Sequence, residues 1–296
     1  MGGDSVENIK NFLKEVMLAW GKSRTPRLAA ALAYYSLFSL APMLFIALTV
    51  AGIFLEDLNI SERLYAQLEM VLGEATVDLL QSAVNSLSSR STTSGTLTTI
   101  IGLGALIFAA TGLFAQLKDA LNTIWDVHTF NNNGPIQLVK DRLLAFVLVL
   151  GAGLLIVIAA FANLVVTLLA AFFNFNGPVS LVNNGVMLVL LIISLTLLYK
   201  ILPDVKITWG DVWPGATLTA ILLLFGSRLM GFYIGISDLG SAFGAAGALA
   251  VLLVGIYYLT QIFLFGAVFT KVYAFRFGSR QGLASEEIQP SISRNL

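Results

Sequence analysis

The chain contains no cysteine, so disulfides, thiolate catalysis and cysteine metal sites are excluded at the outset. It has one histidine, His128, in a polar connector beside Asp126, which leaves too few ligands for a zinc centre of ordinary composition. Charge is scarce as well. Only 11% of the 296 residues are Asp, Glu, Lys or Arg, against about 25% in soluble domains. Lys+Arg and Asp+Glu are both 17, so there is no basic excess of the kind a nucleic-acid surface needs. The glycine-containing runs GLGAL (102–106) and GAGLL (151–155) lack a strand–helix context, and no Walker loop, HExxH or Ser-His-Asp set is present. No motif for an enzyme or for a cofactor remains, and neither is expected.

What is present is apolar length. Hydrophobic residues make up 57% of the chain and mean hydropathy is +0.85. The run Leu28–Leu55 carries no charge until Glu56 and exceeds the roughly 20 residues that cross a bilayer. Further runs at about 96–114, 143–173, 181–202, 214–236 and 243–269 give six spans. Turn-rich NNNGP (131–135) and NFNGP (174–178) separate the second, third and fourth. The expected fold is therefore all-α, a polytopic membrane protein with the bilayer as its first partner.

Two segments lie outside the spans. Residues 1–27 lack a signal-peptide core; instead Val6, Ile9, Phe12, Leu13, Val16, Met17 and Trp20 recur at helical spacing among Lys10, Lys14 and Lys22. That pattern predicts an amphipathic helix on the membrane surface, with Arg24 and Arg27 at the entrance to the first span. Residues 56–94 are acidic and helically periodic, and predict a short helical hairpin broken near Gly73, with Asn59 and Glu62 as a capping box. The membrane domain would occupy 28–277, and 278–296 would form a loose polar tail. Basic residues crowd one side: Lys10, Lys14, Lys22, Arg24, Arg27, Lys118, Lys140, Lys200, Lys206 and Lys271 face only Arg63 and Arg90 on the other. The positive-inside rule puts both termini in the cytoplasm of a plasma membrane.

Polar residues within the spans are the candidate site. Arg228 interrupts the apolar fifth span, where a charge costs roughly 2.5–3.5 kcal/mol on insertion scales. It reads either as a binding group for a phosphate or carboxylate, or as a side chain snorkelling towards Asp238. Pro42 is the candidate hinge of the first span, with Tyr34, Tyr35, Ser36 and Ser39 just before it; the two serines stand where they could satisfy the carbonyl that Pro42 frees. Tyr257, Tyr258 and Gln261 form a polar face on the sixth span. At the cytoplasmic ends, Lys118, Asp119 and Asn122 form one cluster and Lys200 and Asp204 another, readable as a gate if they touch or as solvated helix ends if they do not. Gly231 with Gly235, and Gly240, Gly244 and Gly247, are small-residue faces for helix packing or an oligomer.

Four stretches resemble the YihY/virulence factor BrkB family of bacterial inner-membrane proteins: RLAAALAYYSLFSLAPMLFI (27–46), FAQLKDALNTIWDV (114–127), LYKILPDVKITWGDVWPGA (198–216) and SAFGAAGALAVLLVGIYYLTQIFLFGAVFTKVYA (241–274). The resemblance covers about residues 10–277 in order and implies six spans in a bacterial plasma membrane. Members of that family have carried a ribonuclease BN label, have been linked to serum resistance, or have been proposed as exporters of lipopolysaccharide precursors. Where members often have Glu, this chain has Val268, which speaks against a mechanism needing an acid there. The expectation is a transporter or flippase for an anionic, lipid-like or small-molecule substrate. The alternative is a structural or regulatory envelope protein, and a membrane-bound ribonuclease ranks last.

Overall fold

A computed structural model describes residues 3–54, 74–93, 111–127, 179–236 and 239–281, with single helical positions among residues 62–69 and 140–166. The elements are α1 (Gly3–Lys22), α2 (Thr25–Phe54), α3 (Glu74–Thr93), α4 (111–124), α5 (Val179–Ile201), α6 (Trp209–Ile236) and α7 (Leu239–Arg276). The described residues hold no strand, as expected of an all-α chain.

Among the described residues, four helices are long and apolar enough to cross a membrane: α2 at Thr25–Ile46, α5 at Asn184–Ile201, α6 at Trp209–Met230 and α7 at Leu249–Arg276. They correspond to the first, fourth, fifth and sixth spans of the sequence. Their outward faces are apolar. Phe225 and Phe232 of α6 are 67% and 70% exposed, a surface that suits lipid rather than water.

α7 is the hub, packing against α1, α2, α3 and α6. Its 38 residues extend about 57 Å at 1.5 Å per residue, well beyond a hydrocarbon core of about 30 Å. One end must therefore project, and α1 docks on that end. Phe12 meets Phe269 edge-on at 5.1 Å and Phe277 at 5.6 Å, and Trp20 meets Phe265 at 5.6 Å. The amphipathic helix expected here thus has protein against one stripe. Its Phe12 and Val16 are buried against protein, while Leu13 and Met17 on the neighbouring stripe remain exposed.

The α1–α2 turn is tight. Arg24 adopts φ 48°, a left-handed conformation that costs a non-glycine residue about 1 kcal/mol. Thr25 is fully buried and its hydroxyl donates to the Trp20 carbonyl at 3.0 Å, closing the end of α1. α2 then runs unbroken through Pro42. The helical part of the acidic segment that is described packs inward. α3 buries Leu80 and Val84 in a small core with Leu44 of α2 and Leu252 of α7.

α6 starts at Trp209, more than a turn before the Pro214 at which the sequence placed it. The reason is the cap at its start. Asp211 accepts from the Thr208 N–H at 2.9 Å and from its hydroxyl at 2.8 Å, so the helix is initiated ahead of the proline. Asn59, Gly73, His128 and Asp238, each singled out in the sequence, lie outside the described residues.

α6 and α7 cross closely in antiparallel register. Gly215 faces Thr270, and Gly266 faces Thr219 and Tyr199, with no room at either glycine for a Cβ. Each threonine donates back to the carbonyl of the glycine four residues before it, Thr219 to Gly215 at 2.7 Å and Thr270 to Gly266 at 2.8 Å. Internal bonding of the hydroxyls lets two polar surfaces meet in a dry interface. The glycines named in the sequence, Gly231, Gly235, Gly240, Gly244 and Gly247, lie in α6 and α7; Gly247 is buried, and the surroundings of the other four fall outside what is described.

Candidate functional site

Polar groups gather at two levels: the end of the bundle where α4, the α5–α6 loop and the end of α7 meet, and the middle of α2 and α7. The first level is built mainly from helix ends. At the end of α4, Asp126 takes φ 53°, and the carbonyl of Ile124 accepts from Lys271 of α7 at 2.8 Å. The same ammonium lies 2.7 Å from Asp126, and Lys22 of α1 lies 3.9 Å from that carboxylate. A cation at a helix C-terminus is favourable, because the last carbonyls lack intrahelical partners.

One turn back along α4, Asn122 grips the α5–α6 loop with both ends of its amide. Its Nδ2 donates to Asp204 Oδ2 at 3.0 Å, and its Oδ1 accepts from the Asp204 N–H at 2.8 Å. Lys118 completes the triad, with Nζ 3.0 Å from the same carboxylate oxygen and only 11% of its side chain exposed. The two clusters recognised in the sequence therefore touch. Two of their members do not take part. Asp119 is exposed, and Lys200 donates to the Ile207 carbonyl and lies 5.8 Å over the Trp209 ring.

Asp211 is the best-satisfied carboxylate of this end. It is 3% exposed and accepts from the N–H and hydroxyl of Thr208, and from the N–H and hydroxyl of Ser279 at 3.0 and 2.5 Å. Arg280 lies 5.9 Å over the Trp125 ring, and Arg276 pairs with Glu15 at 3.0 Å and with Asn8 at 3.2 Å. The chain just past α7 is thus tied down, where the sequence suggested that a loose tail begins at 278. Residues 282–296 of that tail lie outside the described residues.

The second level lies within the spans. Tyr199 is buried and bridges three helices, sharing a 2.9 Å hydrogen bond with Thr219 and donating to the Phe263 carbonyl at 2.6 Å. The sequence reading passed over this tyrosine, and its signal was weak: a lone Tyr near the end of an apolar run. On α7, Gln261 donates to the Tyr257 hydroxyl at 2.7 Å, but its Oε1 is buried with no partner among the described residues. Tyr258 leaves this pair and lies against Gly226 of α6. On α2, Ser36 and Ser39 are buried, at 5% and 2% exposure, on the stripe that carries Ala29, Leu32 and Leu44 into the core. The Ser39 hydroxyl has no partner, so it does not satisfy the carbonyl freed by Pro42. Tyr34 and Tyr35 instead face outward, 59% and 45% exposed.

Arg228 is also exposed. It shares the outer face of α6 with Leu224, Phe225, Leu229 and Phe232, which places it at the lipid boundary rather than among the packed helices. Val268 is fully buried in the main core, so an acid at its position would be desolvated there.

The family model for virulence factor BrkB matches residues 16–288. A UPF0761 membrane protein of Tolumonas auensis is 28% identical over 248 residues, an alignment covering 83% of this chain and 80% of the relative. No solved structure matches.

Proposed function

The chain belongs to the virulence factor BrkB family of membrane proteins, and from that premise we propose that it is a six-span plasma-membrane transporter or flippase for an anionic, lipid-like substrate. Four of the six spans are the long apolar helices α2, α5, α6 and α7. The second would lead into α4. The third is supported by exposed apolar positions at three- and four-residue steps, among them Leu143, Val147, Leu154, Ile158, Phe161 and Val165. The excess of Lys and Arg at the α4–α7 end supports a cytoplasmic position for that end and for both termini. In this arrangement the domain spans 28–277, with 56–94 on the extracytoplasmic side.

The observation that carries transport is the pair of unsatisfied polar atoms within the spans, Ser39 Oγ and Gln261 Oε1. A buried hydroxyl or amide oxygen without a partner costs on the order of 1–3 kcal/mol, and hydrocarbon offers it no water. A polar substrate in passage supplies the missing partners. Arg228 adds the charge selectivity, a guanidinium held at the lipid boundary among apolar neighbours where it meets a phosphate entering from the bilayer. The test is movement of fluorescent anionic phospholipid across proteoliposome bilayers, compared with a zwitterionic analogue. Wild-type protein should move the anionic lipid faster, and Arg228→Gln should remove most of that advantage. Equal rates for both lipids, or for both proteins, would sink the reading.

A second reading, a structural or regulatory envelope protein, is favoured by the density of ties at the cytoplasmic end. There Lys118, Asn122, Asp126, Asp211, Lys271 and Arg276 join α1, α4, α7 and the α5–α6 loop. Absence of flux with a stably copurifying envelope partner would select it.

A further inference from the structure

The outer face of α2 carries a second constellation that the transport reading does not use. Arg24 and Arg27 stand three residues apart where α2 begins, both exposed, and neither has a carboxylate within ion-pair distance among the described residues. Down the same face come Ala30, Tyr34 and Phe38, all exposed, with Tyr35 beside them. The three rings form one ledge, Tyr34 lying 5.9 Å from Tyr35 and 5.1 Å from Phe38 in edge-on packing.

We propose that this face is a binding site for one anionic phospholipid of the leaflet in which α2 begins. The order of groups along the helix follows the order of chemistry in such a lipid. Guanidinium pairs bind phosphate in bidentate geometry and suit the headgroup level. Ala30 leaves the helix surface low just below, so the glycerol can lie close to the backbone. The tyrosine hydroxyls come next, seven residues or about 10 Å beyond Arg27 along the axis. Helical side chains lean towards the N-terminus, which brings those hydroxyls back within reach of the ester carbonyls. Phe38 then lines the path of an acyl chain.

The backbone at Arg24 points the same way. Its φ of 48° is the left-handed conformation that closes a helix, a place where glycine is normally favoured. An arginine there is held in an unfavourable conformation, and its exposed side chain makes no ion pair within the described protein to offset it. A phosphate bridging Arg24 and Arg27 supplies that offset. Charge also decides the class of occupant: an apolar partner helix, or a second copy of this chain through the same face, would have to desolvate two arginines against each other.

The site is independent of the transport reading, and lipid retention is measured without any flux. The full-length protein in detergent is supplied with phosphatidylglycerol or phosphatidylcholine, and bound lipid is counted by native mass spectrometry. Wild-type protein should retain phosphatidylglycerol about tenfold better. The double variant Arg24→Gly/Arg27→Gln should lose that preference, and Tyr34→Phe/Tyr35→Phe should lower retention about threefold. Arg24→Gly alone removes the unfavourable conformation, so its thermal midpoint should hold or rise while lipid is lost, which separates binding from folding. Equal retention of the two lipids by wild type, or undiminished retention by the double variant, overturns the proposal. So does displacement of the lipid by millimolar inorganic phosphate, which would make this a site for a free anion. Cross-linking of Tyr34 between two copies in lipid-free protein would assign the face to an oligomer instead.

Discussion

Asn122 and Asp204 hold each other by two hydrogen bonds of opposite sense, side-chain amide to carboxylate at 3.0 Å and main-chain N–H to amide oxygen at 2.8 Å. Only an amide satisfies both, because the position must donate at one end and accept at the other. Asn122→Asp, nearly identical in shape, places a carboxylate against Asp204 and should destabilise more than Asn122→Ala. Losses of about 2–3 and 1–2 kcal/mol are expected, read as thermal unfolding in detergent. The reverse order would show that the amide is a bystander.

Lys118 tests the same joint by charge. Asp204→Ala removes an ion pair that is buried on the lysine side and half open on the aspartate side, so the cost should be about 1–2 kcal/mol, between surface and interior values. Exchanging the pair, Lys118→Asp with Asp204→Lys, should recover part of the loss relative to either single reversal. No recovery in the double variant would mean that the pair is not coupled.

The α6–α7 crossing predicts a sharp ranking among glycines. Gly266→Ala sets a methyl group on the Thr219 hydroxyl and within 2.6 Å of the Tyr199 hydroxyl, and should cost about 3 kcal/mol or more. Gly226→Ala meets the Ile262 Cδ1 at 2.6 Å, a flexible tip, and should cost less. Gly185→Ala meets nothing within 4 Å and removes a helix-weakening residue, so it should be neutral or stabilising by up to about 1 kcal/mol. Thermal midpoints of the three variants check the order.

Ser39 gives opposite signs for stability and function. Ser39→Ala deletes a buried hydroxyl that bonds to nothing, and should raise stability by about 1 kcal/mol. If the hydroxyl serves a passing substrate, the same change should slow flux severalfold. A drop in stability would mean that Ser39 has a structural role.

Gly278 and Ser279 probe the tie beyond α7. A Cβ at Gly278 would strike Asp211, so Gly278→Ala should release the Ser279 bonds and open this segment. Trypsin cleavage after Arg280 should then accelerate several-fold, while the unfolding midpoint falls by only a few degrees. Unchanged cleavage would show that the tie holds without Ser279.

Much of this was legible in residue order, because burying apolar length in a bilayer leaves a long uninterrupted signature. The α2, α5 and α7 helices fall close to where hydropathy put them. α6 began early because the short range of Thr208 and Asp211 outweighed Pro214 as a start signal. Which way a helix faces was far less legible. Phe12, Val16, Leu13 and Met17 form one apolar pattern, yet two meet protein and two do not, since lipid and protein ask for the same period. Arg228 on α6 and Tyr34 on α2 point outward for the same reason: a stripe becomes inner or outer only when a neighbour arrives. The Gly215–Thr219 and Gly266–Thr270 pairs were overlooked because each looks ordinary alone. Their meaning lies in the register between two helices.

That α7 packs against α1, α2, α3 and α6 has a consequence for biosynthesis. α7 leaves the ribosome after every one of those helices, so each is made before the surface it will bury against exists. Until then Ser36 and Ser39 face lipid or the insertion machinery, and the Asp211 carboxylate waits for Ser279. The order of synthesis runs opposite to the order of dependence.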